Sequence, residues 1–238
     1  MLSGPPAASV SAEQLLDRFI AASERQRRTL VPQLEQRRDD LLNLIPAVLE
    51  RFDRDGDDWG CGCLIQLWLQ GSSVEQQQHW WRQHPQGWLR ADSAAGLDLL
   101  SLQRALAEQA FEQADRLTSA LLRQLAGAAA ERRGYVYYSE VAAMPSLDLQ
   151  SLDRLWVVYS RGRFGFSVQA RLLRSCGGRW DRLWPRIGWK QAGLWTRYPG
   201  SFTWSLTAPE GHMPLSNQLR GVRLMDALLN HPGLLQRV

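Results

Sequence analysis

Lysine is almost missing from this chain: Lys190 stands alone, so nearly all of the positive charge is arginine. A guanidinium offers a rigid fork of donors that matches carboxylates and phosphates. With a net charge of +4 and a pI near 9.3, the mild basicity fits an anionic ligand, an acidic partner or nucleic acid, and equally a GC-rich genome. Cysteine is scarce as well. Cys61 and Cys63 lie one residue apart and Cys176 is distant, which makes no disulfide framework and agrees with a reducing compartment. Tetrahedral zinc wants four ligands and no partner pair is evident, so the three are expected as packed thiols. A Cys-x-x-Cys-His motif is absent, which excludes covalently attached haem. No apolar run approaches the ~20 residues needed to cross a bilayer, so a soluble protein is expected. The N-terminus has neither a basic stretch followed by an apolar one nor the Arg- and Ser-rich character of a transit peptide. A bacterial cytoplasm is expected, or a mature form from which a transit peptide was removed.

What is present is an ordinary globular composition, 45% hydrophobic and 22% charged over 238 residues, with eleven tryptophans that exceed the needs of a core this size. Ser11-Ala12-Glu13-Gln14 has the form of a capping box and opens a helix with Leu15, Leu16, Phe19 and Ile20 on its apolar face. Pro32 suits a helix start, and Pro46 interrupts the following apolar series, which predicts two helices or one kinked helix between Pro32 and Phe52. Asp53 to Asp58 invites a calcium reading that fails, because an EF-hand loop wants glycine and glutamate where Asp58 and Leu64 stand. A solvated turn is the better account. Cys61 to Leu69 reads as an apolar helix ended by Gly71, and Ser72 to Glu75 as a second capping box whose helix stops at His84-Pro85. The turn-rich segment from Pro85 to Gly96 is the expected domain boundary. Residues 1–86 are therefore expected as a helical bundle resembling a helical-repeat unit, and residues 87–238 as a second, all-helical domain.

In that second part, Leu97 to Leu106 and Phe111 to Leu125 form a helical pair, with Phe111, Ala114, Leu117 and Leu121 on one face. Ser139 to Met144 reads as one or two helical turns. Leu152, Leu155, Trp156 and Tyr159 recur at i, i+3, i+4 and i+7, and Phe166, Val168, Leu172 and Leu173 begin a second apolar series. Together they predict a helical hairpin around Arg163 to Phe166. Trp180 to Trp184 is a short helix stopped by Pro185. Gly188 to Pro214 is then a long irregular segment carrying Trp189, Trp195, Tyr198, Phe202 and Trp204, and loops of that length are often functional. Within it, Phe202 to Leu206 alternates too briefly to make a sheet. A last helix is expected from Ser216 to Asn230, with Asn217, Arg220 and Arg223 three apart on one side and Leu219, Val222, Met225 and Leu229 on the other. Aromatic side chains beside guanidiniums suit a flat apolar ligand with carboxylates at its edge. The plainer account is a solvated helix face beside core tryptophans.

Several motifs in the last half of the chain decide between these accounts. Asp153-Arg154-Leu155-Trp156, Tyr159-Ser160, Gly162-Arg163-Phe164-Gly165-Phe166-Ser167-Val168-Gln169, Arg186-Ile187-Gly188-Trp189, Trp195-Thr196-Arg197-Tyr198-Pro199-Gly200, Ala208-Pro209-Glu210-Gly211-His212 and the run from Leu215 to Arg223 occur in order. This region resembles the genomes-uncoupled-four family. The resemblance implies an all-helical core with a cupped apolar surface, preceded in cyanobacterial members by a small helical bundle. It implies binding of protoporphyrin IX and magnesium protoporphyrin IX, no intrinsic cofactor, and stimulation of magnesium chelatase in chlorophyll synthesis without chemistry of its own. The expected partner is the large porphyrin-binding subunit of that enzyme, with peripheral association at a thylakoid membrane as a further expectation and a monomer as the oligomeric state. Carried over by motif, Asn217, Arg220 and Arg223 are polar ligand contacts. Trp195, Tyr198 and Trp204 sit in the loop that closes on the ligand, and Tyr138, Val141 and Phe111 line the facing wall. The pattern departs at Met213, where leucine is usual, a nearly volume-conserving exchange. His212 is expected to hold the loop by a hydrogen bond rather than to ligate a porphyrin metal.

Two alternatives belong to other classes. A nucleic-acid module would use the arginines with stacked aromatics, but acidic residues are dispersed through the same helices, so no nucleic-acid partner is expected. A helical adaptor would bind no ligand at all. For an enzyme the sequence offers no Ser/His/Asp set, metal cluster or phosphate loop.

Overall fold

Ser11 opens the first helix by a reciprocal pair of bonds: its hydroxyl accepts the Gln14 N–H at 3.1 Å and its own N–H donates to the Gln14 amide oxygen at 3.1 Å. Two backbone donors that a helix start leaves free are satisfied in this way. The computed structural model, which describes residues 10–216 and 222–238, continues from there as an almost wholly helical chain. Helix α1 (Ala12–Ala21) buries Leu15, Leu16 and Phe19. Helix α2 (Glu24–Gln36) starts at Ser23, whose N–H donates to Gln26 at 3.0 Å, and runs through Pro32 rather than beginning there. Pro32 and Arg28 are both exposed, so the helix carbonyl that proline leaves unpaired lies on the solvent side.

Two short helices, α3 (Arg38–Leu41) and α4 (Ile45–Leu49), fill the span where two helices or a kink were expected. Helix α5 (Trp59–Gly71) is capped by Asp58 and buried from Trp59 to Leu69, because α3 and α4 cover one side while later helices at Leu100–Ala107 and Ser146–Tyr159 cover another. Helix α6 (Val74–Gln83) is capped by Ser73, paired with Gln76, one residue later than the sequence pattern places it. Cys61 and Cys63 are buried free thiols, and burial pushes Cys63 up to about 11.

The chain continues through α7 (Leu100–Ala107), α8 (Phe111–Ala126), α9 (Ala128–Arg133), a 3-10 turn (Tyr138–Ala143), α10 (Ser146–Tyr159), α11 (Phe166–Ser175) and α12 (Trp180–Arg186). The hairpin of α10 and α11 is the centre of the core. Leu152, Leu155, Trp156 and Tyr159 are fully enclosed, and the two polar tips among them are satisfied. The Trp156 indole donates to Thr118 at 2.9 Å, and the Tyr159 hydroxyl donates to Gln103 at 3.0 Å. Asp153, also enclosed, accepts the Ser167 N–H at 2.8 Å and so starts α11. A two-stranded hairpin, β1 (Lys190–Gln191) with β2 (Leu194–Trp195), interrupts the segment expected to be irregular. Ala192 and Gly193 both have positive φ there, 47° and 82°, the geometry of a tight two-residue hairpin turn. The chain ends in α13 (Arg223–Leu229) and α14 (Pro232–Leu235), the latter capped by His231.

The acidic run from Asp53 to Asp58 is tied to the rest of the molecule rather than merely solvated. Arg90 reaches Asp55 at 3.2 Å, and Arg237 joins Asp57 at 3.0 Å to the buried Asp153 at 2.7 Å. Among the described residues no cluster of metal-ligating side chains exists there or elsewhere. No described helix is long and apolar enough to cross a membrane.

Candidate functional site

The aromatic segment after α12 is anchored at its base and open at its tip. Trp189 is buried and donates to the His212 carbonyl at 2.8 Å. His212 is buried too, with Nδ1 2.7 Å from the Ile187 carbonyl and Nε2 3.3 Å from the Thr203 N–H. Only the tautomer with its proton on Nδ1 satisfies both contacts. Burial holds the imidazole below its ordinary pKa, so it is neutral and committed to the loop. The Gln169 amide adds bonds to the Gly211 carbonyl at 3.0 Å and to that of Pro214 at 2.9 Å. These anchors bind the returning strand of the loop to α11.

Above the base the aromatics form two groups. Trp184 and Trp189 stack with planes 6° apart, and Trp180 and Trp195 extend the row with centroids 5.1 and 5.5 Å from Trp184. Tyr198, Phe202 and Trp204 form the second group, with centroids 5.5 to 5.8 Å apart. Trp189 and Phe202 belong to the interior, whereas Trp195 is 45% exposed and Tyr198 42%. Two large aromatics therefore stand in solvent where the core would have taken them if it had room.

They stand over a hollow. A cavity of about 680 Å³ lies between α8, the chain at Gly134 to Val136, the loop from Trp195 to Tyr198, Leu215 with Ser216, and Leu224. That volume falls within the range of small-molecule and cofactor sites. Its apolar lining is Leu122, Val136, Leu215 and Leu224 with the faces of Tyr135, Trp195 and Tyr198. Arg116, Arg123 and Arg197 add three guanidiniums, and Asp115 is the one acid among the described lining residues. Arg116 is paired with Glu112 at 2.5 Å; Arg123 and Arg197 have no ion pair among the described residues.

Asp115 is fully enclosed. Its Oδ1 accepts the Leu215 N–H at 2.6 Å, and its Oδ2 accepts no hydrogen bond of ordinary geometry among the described residues, although the Tyr198 hydroxyl faces the carboxyl. Burial pushes this carboxyl up to about 7 against the help of those two donors. The Tyr198 phenol is likewise raised, by burial and by the neighbouring Asp115.

The residues expected at the site fall into five situations. Trp195 and Tyr198 line the hollow. Trp204 stands behind Tyr198 and borders a second recess of about 480 Å³, shared with the edge of Phe111 and with Arg116. Phe111 and Val141 are core residues, each 1% exposed, and neither lines the main hollow; Phe111 packs on Trp156 and Phe164. Tyr138 is exposed and lies outside that lining, with the Arg223 guanidinium 5.4 Å from its ring centroid. Asn217 and Arg220 lie outside the described residues.

Sequence reasoning missed the α8 wall. The signal was there: Asp115, Ser119 and Leu122, with Arg116 and Arg123, repeat at helical spacing on a side of α8 distinct from the Phe111, Ala114 and Leu121 series. A leucine among polar residues marks a second surface to be covered.

A family model described as GUN4-like matches residues 92–232. A Ycf53-like protein from Synechocystis is 50% identical over 151 residues, covering 63% of this chain and 65% of its own length. A chloroplastic tetrapyrrole-binding protein from Arabidopsis thaliana is 38% identical over 141 residues, covering 56% of this chain and 53% of its own. Each alignment thus spans less than two thirds of that relative. The structure of GUN4 from Chlamydomonas reinhardtii superposes with a TM-score of 0.58 at 37% identity, covering 61% of this chain and 93% of the other.

Proposed function

The chain belongs to the GUN4-like family, and from that premise we propose that it binds a porphyrin dicarboxylate, protoporphyrin IX or its magnesium complex, in the hollow beneath Trp195 and Tyr198. The observation that supports this reading is the pairing of two solvent-exposed aromatics with a cavity of about 680 Å³ whose lining carries the guanidiniums of Arg123 and Arg197. A porphyrin is a rigid apolar disc with two carboxylates at one edge. Apolar walls and aromatic faces suit the disc, and guanidiniums suit the carboxylates. The Arabidopsis relative is itself named a tetrapyrrole-binding protein. Asn217 and Arg220 enter this reading by the family resemblance alone, and Arg223 joins them from the start of α13, next in sequence to the hollow's Leu224.

The proposed role is binding and regulation rather than turnover. The polar lining consists of arginines, small hydroxyls, two tyrosines and a carboxyl bonded to backbone, with no histidine among the described lining residues to serve as a base. The regulated enzyme in this reading is magnesium chelatase, contacted through its large porphyrin-binding subunit, with the membrane surface as a secondary site of association. Residues 87–238 carry the binding unit and residues 1–86 buttress it.

Titration with deuteroporphyrin, followed by tryptophan quenching, tests the binding. Quenching that saturates at micromolar ligand is expected, and Trp195→Ala should weaken it roughly tenfold. A fluorescence signal unchanged by ligand defeats the reading.

A further inference from the structure

An enclosed carboxyl is an odd neighbour for an anionic ligand. We propose that Asp115 couples ligand charge to a proton: it stays protonated, or takes up a proton from solvent, as a porphyrin dicarboxylate enters the hollow. Binding is then tighter below neutral pH than above it. The inference rests on the proposed binding of a dicarboxylate and goes beyond it, since nothing in that reading requires an acid at the site.

Three geometric facts carry it. Asp115 is the one acid among the described lining residues, facing the same cavity as Arg116, Arg123 and Arg197. It has no exposure to bulk solvent, so its charge is not screened as a surface carboxylate's is. One oxygen is held by the Leu215 N–H, the Tyr198 hydroxyl is the other donor facing the carboxyl, and no ion pair is made to it among the described residues, so two neutral donors are all that offset its burial. Two propionates in the hollow would put like charges beside this group in a low-dielectric site, and a like charge favours the protonated form. An ionised Asp115 would also draw on the positive potential of the arginines that the ligand needs.

The charged and titratable groups around Asp115 do not remove this effect. On its own helix, Glu112 and Arg116 oppose one another as an ion pair. From the loop, Tyr198 and Arg197 face the hollow, the former with its phenol pKa raised and the latter a fixed cation. Arg133 of α9 and Glu140 of the 3-10 turn are paired with each other at 2.7 Å. Arg104 of α7 is engaged over the Trp81 ring. Arg123 remains as a further fixed cation on α8. Burial already places the Asp115 carboxyl at about 7 without ligand, so a modest further rise brings proton uptake into the range between neutral and mildly alkaline pH.

The test is a pair of titrations of the full chain with deuteroporphyrin, at about pH 6.5 and about pH 8.5, on wild type and on Asp115→Asn. Wild-type affinity should fall roughly tenfold between them, and the variant should bind equally well at both. Asparagine keeps an acceptor for the Leu215 N–H, so the fold is preserved. A measurement on unaltered protein stands independently: calorimetry of binding in two buffers of different ionisation enthalpy should show uptake of about half a proton at the higher pH and less at the lower. A flat wild-type profile, equal slopes in wild type and variant, or no proton uptake overturns the proposal while leaving porphyrin binding intact. Absence of binding at both pH values removes the binding reading and this inference with it.

Discussion

At the scale of single residues, burial decides which polar groups can be predicted and which cannot. His212 was legible because it sits in a motif and has few ways to act, and it holds the loop through both ring nitrogens. Asp115 was not legible as part of a site, because its partner, the Leu215 N–H, arrives from a hundred residues away and no local pattern marks the meeting. Its energetic sign follows from its environment. The folded-state pKa is raised to about 7 from an ordinary value of 3.8, so the unfolded chain loses this proton first as pH rises. Stability from this group is complete below the ordinary carboxylate range, falls between about pH 4 and pH 7, and stays lost above. Asp115→Asn removes that loss. The variant should be more stable than wild type at about pH 8 by roughly 2 kcal/mol, or about 5 °C in melting temperature, with no gain at about pH 4. Thermal melts of both proteins at the two pH values check it, and an equal difference at both would contradict the assignment.

At the scale of elements, most helices were visible, some of their starts were too, and others were not. The serine before Gln14 reads clearly because an apolar series follows it, whereas the equivalent Ser23 and Gln26 precede a run of polar residues and carry no such cue. Ser72 and Ser73 offer two registers of one motif, and only packing chooses between them. The hairpin at Ala192-Gly193 was hidden because alanine at a positive φ is not a turn signal. Packing between elements was equally silent about Gly62, which in sequence is one small residue in an apolar run. In the fold it lets α5 approach α10 so closely that an added methyl would collide with the Val158 carbonyl. Backbone cannot step aside as a side chain tip can, so Gly62→Ala must push two buried helices apart. A loss of about 2 to 3 kcal/mol is expected in chemical denaturation. A change under ~0.5 kcal/mol would mean that α5 and α10 are not in contact in solution.

For the whole molecule, the question is how the N-terminal helices adhere to the family-matched core, which begins at residue 92. The turn-rich stretch from Pro85 to Gly96 suggests a boundary in the sequence, but the contacts between the helices on either side of it are invisible to composition. Gln66 of α5 donates to the carbonyls of Leu106, at 3.1 Å, and Tyr159, at 2.6 Å, from an enclosed position. At the other end of the chain Arg237 holds Asp57, near the start of α5, and the enclosed Asp153, which also starts α11. One guanidinium near the C-terminus thus connects the early helices, the central hairpin and the chain's end. Removing it leaves Asp153 enclosed with only the Ser167 N–H to oppose its charge, a situation that costs about 3 kcal/mol or more. Arg237→Ala should therefore lower stability by that order at neutral pH. Arg237→Lys, which keeps the charge without the fork, should recover part of the loss. Denaturation followed by both tryptophan fluorescence and far-ultraviolet circular dichroism checks this. A wild-type stability in Arg237→Ala would show that the arginine is a surface charge and that the early helices are held elsewhere.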